Sequence, residues 1–253
     1  MSLKANFTQM ARTAVSRALP VGVLDRGPAL RGTRFLAGAQ RRAARDRPFQ
    51  LVNVGACDGV LFDDVTPWLR RIKGSRAVLV EPIPYNQKRL RENYPDTDRF
   101  IIEPVDVTQE KGTIRIKTFD IPALEAGTLP IEFIGCSSIT DNNLMSGKDA
   151  WGEEDGNFEK FAAHLTDIDV PGDTLQNILD RNGIEYIDAF LVDCEGADWA
   201  VFEQLDLERY RPGMIKIEIG ALSAEEMGKV LVKLNAADYQ VGLYAADVWA
   251  FAH

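Results

Sequence analysis

The sequence predicts an α/β fold in which helices cover both faces of a mostly parallel, seven-stranded sheet. From residue 50 onward, short runs of β-forming residues alternate with segments whose apolar residues recur at helical spacing. A glycine-containing turn follows the first run, and two further strands close the chain as an antiparallel addition. The length of 253 residues is enough for one large domain with a full core.

The first strand and the turn after it are the stretch around which the chain is organised. The predicted strand Gln50–Val54 runs into Gly55 and Gly59, and a helix is predicted over 60–73. Glycines there let the backbone turn sharply and approach a ligand, beside the free amides of a helix N-terminus. Asp58 makes the turn acidic, which suits a cationic ligand better than a pyrophosphate. The alternative is a loop that only turns the chain.

The remaining elements follow the same alternation of strand and helix. Thr113–Phe119 also alternates, and it either extends the sheet or forms a hairpin. The other predicted strands are 77–81, 99–103, 187–193, 214–220, 239–244 and 248–252, and the other helices are 84–94, 173–182, 197–206 and 223–236.

The segment 120–169 interrupts this rhythm. Long irregular insertions in compact α/β domains are commonly lids or binding loops, so we expect substrate recognition here. Ser137 and Ser138 are candidate hydrogen-bond donors to a substrate, and Trp151 is a candidate stacking surface, although it could equally pack the insertion onto the domain. His164 has the ordinary pKa of a general base, but a lone histidine is more often structural.

The first 47 residues form a basic extension. They carry ten basic side chains against two acidic ones. Helices are predicted over 5–19 and 28–45, separated by proline and glycine. Such a segment is typical of a transit peptide or a membrane-surface helix. The alternative is that its helices cap the following domain or pair subunits into a homo-oligomer. We therefore divide the chain into this extension, 1–47, and one domain, 48–253.

Composition and charge argue against some classes of binding partner and indicate the cellular compartment. The net charge of −9 argues against nucleic acid as a partner. No apolar run reaches about 18 residues, so no transmembrane segment is expected. The three cysteines, Cys57, Cys136 and Cys194, lack metal-ligand spacing and indicate free thiols in a reducing, cytoplasmic compartment.

Acidic residues follow several predicted strands at their carboxyl ends, where open α/β sheets bind ligands. Glu81, with Pro82 ending its strand, is placed to accept the hydroxyls of an adenosine ribose, and Asp106 to accept the adenine amino group. Asp193 and Glu195 follow the fourth strand and could orient or deprotonate a hydroxyl. The alternatives are a solvated Glu81, a turn aspartate at 106, and carboxylates at 193 and 195 that accept loop amides or cap a helix.

Together these motifs identify a family. In order along residues 50–252, the chain resembles the FkbM family of S-adenosylmethionine-dependent methyltransferases. The motifs are Val54–Gly55–Ala56–x–x–Gly59, Val80–Glu81–Pro82, Asp173–Thr174–Leu175 and Asp193–Cys194–Glu195–Gly196–Ala197–Asp198.

The resemblance implies a Rossmann-like class I methyltransferase that binds S-adenosylmethionine and methylates a hydroxyl of a sugar, glycan or secondary metabolite. It places Gly55, Asp58 and Gly59, with Ala56 between them, around the methionine part of the donor. It places Glu81, followed by Pro82, on the ribose. The chain departs from the family pattern at Leu191, where a lysine is common, and at Asp198, where the motif ends in glutamate.

The reaction requires a group that removes the acceptor's proton, and Asp193, Glu195 and His164 are the candidates. Glu218 on the fifth strand is expected to contact the acceptor, and with Asp193 and Glu195 it could form a Mg²⁺ site, which we do not favour. Two other readings stay open. One is a non-catalytic, methyltransferase-like binding or assembly protein. The other, less favoured because the turn lacks Gly-x-Gly-x-x-Gly spacing, is an NAD-dependent oxidoreductase.

Overall fold

A computed structural model describes residues 27–42, 47–61, 63–129, 131–135, 137 and 162–253 of the protein. The predicted helix at 5–19, together with Cys136, Ser138 and Trp151, lies outside the described residues.

The main sheet has the seven strands that the sequence predicts. The strands are β1 Gln50–Val54, β2 Arg76–Val80, β3 Phe100–Glu103, β7 Ala189–Val192, β8 Met214–Glu218, β9 Tyr239–Tyr244 and β10 Asp247–Ala252. Their order is β3-β2-β1-β7-β8-β10-β9, and β10 runs antiparallel to the other six. The seven-stranded, mostly parallel sheet with an antiparallel C-terminal strand is therefore confirmed.

A second sheet of three strands lies beside the main one. Its strands are β4 Asp106–Val107, β5 Gly112–Phe119 and β6 Leu165–Asp173, in the order β4-β6-β5. The alternating stretch at 113–119 thus pairs antiparallel with β6 across the insertion rather than extending the main sheet. Residues 165–169, which the sequence assigns to the insertion, belong to β6 because they pair with β5.

Helices pack on both faces of the main sheet, as predicted. The helices are α1 Gly27–Arg42, α2 Pro84–Asn93, α3 Ile121–Glu125, α4 Leu175–Arg181, α5 Asp198–Phe202 and α6 Ala224–Ala236. One apolar cluster joins the sheet to α4, α5 and α6, and a second joins its other face to α1, α2 and the 3-10 helix Thr66–Arg70. Alternate strand residues point to opposite faces, so the buried β1 residues Leu51 and Val52 belong to different clusters.

Helix α1 belongs to the extension and lies against the C-terminal strands. Leu36 and Ala39 are buried in the second cluster, and a Cβ on Gly32 would lie 2.4 Å from the Trp249 ring. The described part of the extension therefore packs on the sheet. None of the described helices has the length and apolar character that crossing a membrane requires.

The helix predicted over 60–73 is wrong. Asp58 accepts the amides of Val60 and Leu61, and Asp63 accepts those of Val65 and Thr66. Two successive aspartate turns therefore take the amides that a helix would pair with its own carbonyls, and only the short 3-10 helix Thr66–Arg70 follows.

A buried ion cluster ties the second sheet to the main one. Arg181 of α4 donates to Glu103 at the end of β3, at 2.6 Å, and to Asp173 at the end of β6, at 2.5 Å. Both acidic side chains are at most 10% exposed. Burial would raise the pKa of Glu103, but hydrogen bonds from Arg181 and Asn182 lower it. Burial would likewise raise the pKa of Asp173, but hydrogen bonds from Asn177, Thr174 and Arg181 lower it. This cluster holds the carboxyl ends of β3 and β6 together.

Candidate active site

Two adjoining cavities open at the carboxyl ends of the parallel strands. The first, called here the Glu81 cavity, has a volume of about 580 Å³ and is lined by Glu81, Asn86 and Asp106. The second, the Lys216 cavity, has a volume of about 720 Å³ and is lined by Lys216 and Glu218. The residues that line both cavities are Gly55, Cys57, Gly135, Asp193 and Glu195.

Gly55 is where three strands meet. Its φ is +80°, and a Cβ at this position would lie 1.8 Å from the carbonyl oxygen of Asp193. Its amide and that of Ala56 both donate to the Val80 carbonyl at the end of β2, at 3.0 Å. No other residue type fits this position, so the first predicted glycine is required by close approach as well as by φ.

The rest of the turn packs against α2 and against Tyr94, the residue that follows this helix. Gly59 has φ +70°, and a Cβ on it would lie 2.5 Å from the ring of Tyr94, whose hydroxyl donates to the Gly59 carbonyl at 2.7 Å. Asp58 is 1% exposed; besides two turn amides it accepts from Arg89 of α2 at 3.0 Å. Asp58 therefore has its hydrogen-bond partners within the protein. Asp58 and Gly59 are absent from the described residues that line the two cavities, whereas Ala56 lines the Lys216 cavity.

Glu81 lies at the end of β2 and is 4% exposed. One carboxylate oxygen accepts the amide of Cys57 at 2.8 Å, and the other accepts that of Ile83 at 2.8 Å. Burial raises its pKa to about 8, although these hydrogen bonds oppose the shift. Glu81 thus joins the turn after β1 to the start of α2, and Pro82 lines the same cavity.

Asp106 also lines the Glu81 cavity. It is 8% exposed, and its carboxylate accepts the amide of Val107 at 2.9 Å. Burial raises its pKa to about 6. Asp106 therefore lies buried in the short strand β4, with its side chain at the cavity wall, and not in a turn.

Three half-buried carboxylates crowd the junction of the two cavities. One oxygen from each of Asp193, Glu195 and Glu218 lies within 4.8 Å of the others. Burial and the neighbouring charge of Asp193 raise the pKa of both Glu195 and Glu218. The next carboxylate, Asp198, points inward and accepts the amides of Cys194 and Gly196, so it shapes the loop.

Lys216 is a residue of this site that sequence reasoning missed. In the sheet it is the register partner of Leu191, the position where the family commonly has lysine. Its side chain is 11% exposed, and its amine lies 3.2 Å from Asp247. Burial would lower its pKa, but Asp247, Asp193 and Asp63 raise it, so the amine stays charged. The signal was available, because Lys216 and Glu218 are the two charged side chains of the otherwise apolar strand Met214–Glu218.

The two remaining polar residues of the Lys216 cavity were also missed. Asn53 of β1 donates from its amide to Asp63 at 3.1 Å and to Thr66 at 2.9 Å. Both Asn53 and Asp63 line the cavity. An asparagine inside a buried strand is the only sequence signal for this pair.

The insertion contributes differently from what the sequence predicts. Ser137 lines the Glu81 cavity rather than the Lys216 cavity, and its hydroxyl lies 2.8 Å from that of Thr118. His164 lies just before β6, where its carbonyl accepts the amide of Asp120, and it is not among the described residues that line either cavity. A catalytic role for His164 stays a prediction that this arrangement does not support.

The family model of the methyltransferase FkbM domain matches residues 53–241. The chain belongs to this family. The family resemblance of the motifs is thereby confirmed. No curated protein matches the FkbM chain significantly.

Solved structures similar to this FkbM chain include the methyltransferase FkbM of Methylobacillus flagellatus KT, with 14% identity and a TM-score of 0.49, covering 85% of this chain and 47% of that one. The chain thus spans about half the length of that protein. A methyltransferase from Geobacter sulfurreducens has 15% identity and a TM-score of 0.37, covering 98% of this chain and 88% of that one. The ribosomal protein L11 methylase of Lactobacillus delbrueckii subsp. bulgaricus has 10% identity and a TM-score of 0.37, covering 88% and 80%.

The close approach at Gly55 gives a stability prediction. Gly55→Ala should destabilise the protein by about 3 kcal/mol or more, because the new methyl group overlaps the Asp193 carbonyl and φ is positive. Gly74→Ala is the matched control, since Gly74 has φ +73° but no atom within 4 Å of its Cβ position. It should lose only about 1–2 kcal/mol. Urea denaturation measures both, and equal losses would contradict the steric explanation.

The buried carboxyls give a pH prediction. Burial raises the pKa of Glu81 to about 8, of Asp198 to about 7, and of Asp106 and Asp247 to about 6. Each value lies above that of the unfolded chain, so the folded state holds protons that the unfolded state releases. The free energy of unfolding should therefore fall as pH rises from about 5 to about 8.

The measurement is thermal unfolding at about pH 5.5 and about pH 8.5, with a lower Tm expected at the higher pH. Glu81→Gln removes the group with the highest of these pKa values and should reduce the difference. An equal or higher Tm at the alkaline pH would show that these carboxyls are not proton-bound in the folded state.

Proposed function

We propose that the chain is an S-adenosylmethionine-dependent O-methyltransferase acting on a hydroxyl of a small molecule, sugar or glycan, with the donor in the Glu81 cavity and the acceptor in the Lys216 cavity. The observation that carries the proposal is the common wall of Gly55, Asp193 and Glu195 between the two cavities. A transfer reaction needs its two reactants side by side, and this wall lies at their junction.

The Glu81 cavity fits the donor. Glu81 is a buried carboxylate at the end of the second parallel strand, where such folds hold an adenosine ribose through its hydroxyls. Asp106, which lines the same cavity, offers an acceptor to the adenine amino group. When bound, S-adenosylmethionine supplies an electrophilic methyl group on a positively charged sulfur. Carboxylates at the common wall favour a cation at that point.

The residues at the junction hold and deprotonate the acceptor. A hydroxyl must lose its proton as it attacks, and a carboxylate with a raised pKa is a stronger base than an exposed one. Burial and the charge of Asp193 raise the pKa of Glu195, which makes Glu195, with Asp193 beside it, the favoured base. Glu218 then accepts a hydrogen bond from a hydroxyl of the acceptor, and the charged Lys216 donates one to an oxygen of the acceptor. No metal ion is needed in this scheme, because Lys216 supplies the positive charge.

Donor binding tests the first half of the proposal. By calorimetry, S-adenosylmethionine and S-adenosylhomocysteine should bind, whereas NAD⁺ should not. Glu81→Ala should weaken both adenosyl ligands by about 1.5–3 kcal/mol, the range of hydrogen bonds to charged groups. Glu125→Ala, which removes a carboxylate that is 51% exposed on α3, is the control and should bind normally. If neither adenosyl ligand binds the folded protein, the donor assignment fails.

Turnover tests the second half. Release of S-adenosylhomocysteine is measured across a panel of sugars, oligosaccharides and hydroxylated metabolites. Glu195→Gln should lower turnover, measured at saturating donor, by about 100-fold or more, on the scale of general acid–base effects. Asp180→Asn, on a side chain that is 55% exposed, is the control. Donor binding without transfer to any acceptor would favour the alternative of a non-catalytic binding protein.

A further inference from the structure

Asn86 is a polar residue of the Glu81 cavity to which the proposed mechanism gives no role. It lies in the first turn of α2, is 2% exposed, and lines the cavity beside Glu81. A side-chain amide buried to this extent is expected to satisfy both its donors and its acceptor. Asn86 satisfies only one side.

The nitrogen of the amide joins the cavity to the insertion. Nδ2 donates to the Ile134 carbonyl at 2.9 Å and lies 3.4 Å from a carboxylate oxygen of Glu81. Both neighbours are acceptors, so the orientation of the amide is fixed with its nitrogen toward them. One side chain thus contacts the residue expected to hold the donor's ribose and the backbone of the insertion.

The oxygen of the same amide has no hydrogen-bond partner among the described residues, and it is buried. A buried acceptor without a partner costs about 1–3 kcal/mol. A donor atom that reaches it on ligand binding removes this cost. The hydroxyls of a ribose held at Glu81 are such donors, and they would lie next to Asn86.

The part of the insertion that Asn86 holds covers the Glu81 cavity. We call residues 131–135 with Ser137 the cover segment. Ile134, Gly135 and Ser137 line the cavity, and the segment is anchored to β5 by the Phe133 ring, 4.6 Å from that of Phe119. The start of the insertion therefore lies over the cavity assigned to the donor.

We propose that Asn86 is a donor-binding latch: its Oδ1 accepts a hydroxyl of the donor's ribose while its Nδ2 holds Ile134, so that donor binding and closure of the cover segment occur together. The proposal rests on the proposed function, because it requires the donor in the Glu81 cavity. Since Oδ1 is buried, the ligand enters when the cover segment moves, and the bond to Ile134 forms again on closure. Acceptor recognition then follows donor binding, because Gly135 of the closed segment also lines the Lys216 cavity.

Gln87 provides a matched control on the same helix. It is a buried amide that donates to the Glu81 carbonyl at 2.9 Å and to the Pro82 carbonyl at 3.0 Å. Gln87→Ala therefore removes two hydrogen bonds at the end of β2, where Asn86 also lies beside Glu81. Neither of these two hydrogen bonds reaches the cover segment, so Gln87→Ala reports a purely structural loss.

The first experiment is calorimetric titration of S-adenosylhomocysteine into wild type, Asn86→Ala and Gln87→Ala, with folding checked by circular dichroism. Asn86→Ala should bind about tenfold more weakly or worse, and Gln87→Ala within about threefold of wild type. The 2′-deoxy and 3′-deoxy forms of the ligand identify the hydroxyl. Removing the one that contacts Oδ1 should weaken binding to wild type but cause no further loss in Asn86→Ala.

The second experiment is hydrogen exchange of the backbone amides in the cover segment, with and without S-adenosylhomocysteine. In wild type and Gln87→Ala the ligand should slow exchange there. In Asn86→Ala at saturating ligand this protection should be absent. This readout separates a latch from a general loss of stability, which would raise exchange across the whole domain.

Three results would overturn the latch alone. They are wild-type affinity in Asn86→Ala, equal effects of Asn86→Ala and Gln87→Ala on affinity and on exchange in the cover segment, and unchanged ligand protection of the segment in Asn86→Ala. Failure of wild type to bind S-adenosylhomocysteine is a different result, since it would overturn the proposed function and the latch with it.

Discussion

The contact between Gly55 and the Asp193 carbonyl is the constraint on which the rest of the site depends. It requires the turn after β1 to lie against the end of β7 with no side chain between them. The same turn donates two amides to Val80 at the end of β2. Three strand ends are thereby fixed in one place, and the carboxylates that follow them, Glu81 and Asp193, are brought to the walls of two adjoining cavities.

The charges at these strand ends make the site a place for cations and hydroxyls. Three half-buried carboxylates lie close together at the junction of the cavities. Lys216 relieves part of their repulsion and is itself held by Asp247. A sulfonium would balance more of it, and an acceptor hydroxyl offers a proton to the rest.

The main strands could be predicted because each is a short apolar run whose pattern needs no knowledge of its neighbours. The helix at 60–73 could not, because its apolar spacing competes with Asp58 and Asp63, whose short side chains take the backbone amides first. The stretch at 113–119 was left open for a related reason. Its partner β6 lies across the insertion, and a strand's partner is not written in its own sequence.

The sequence by itself determined the α/β class, the glycine turn and the acidic residues at the strand ends, since these follow from local pattern and from the rule that ligands lie at carboxyl ends of parallel strands. Only the tertiary structure decided how residues meet across strands and loops. Sheet register placed Lys216 beside Leu191, and the path of the insertion brought Ile134 to Asn86. Such pairings depend on packing between distant segments, and no periodicity in either segment specifies them.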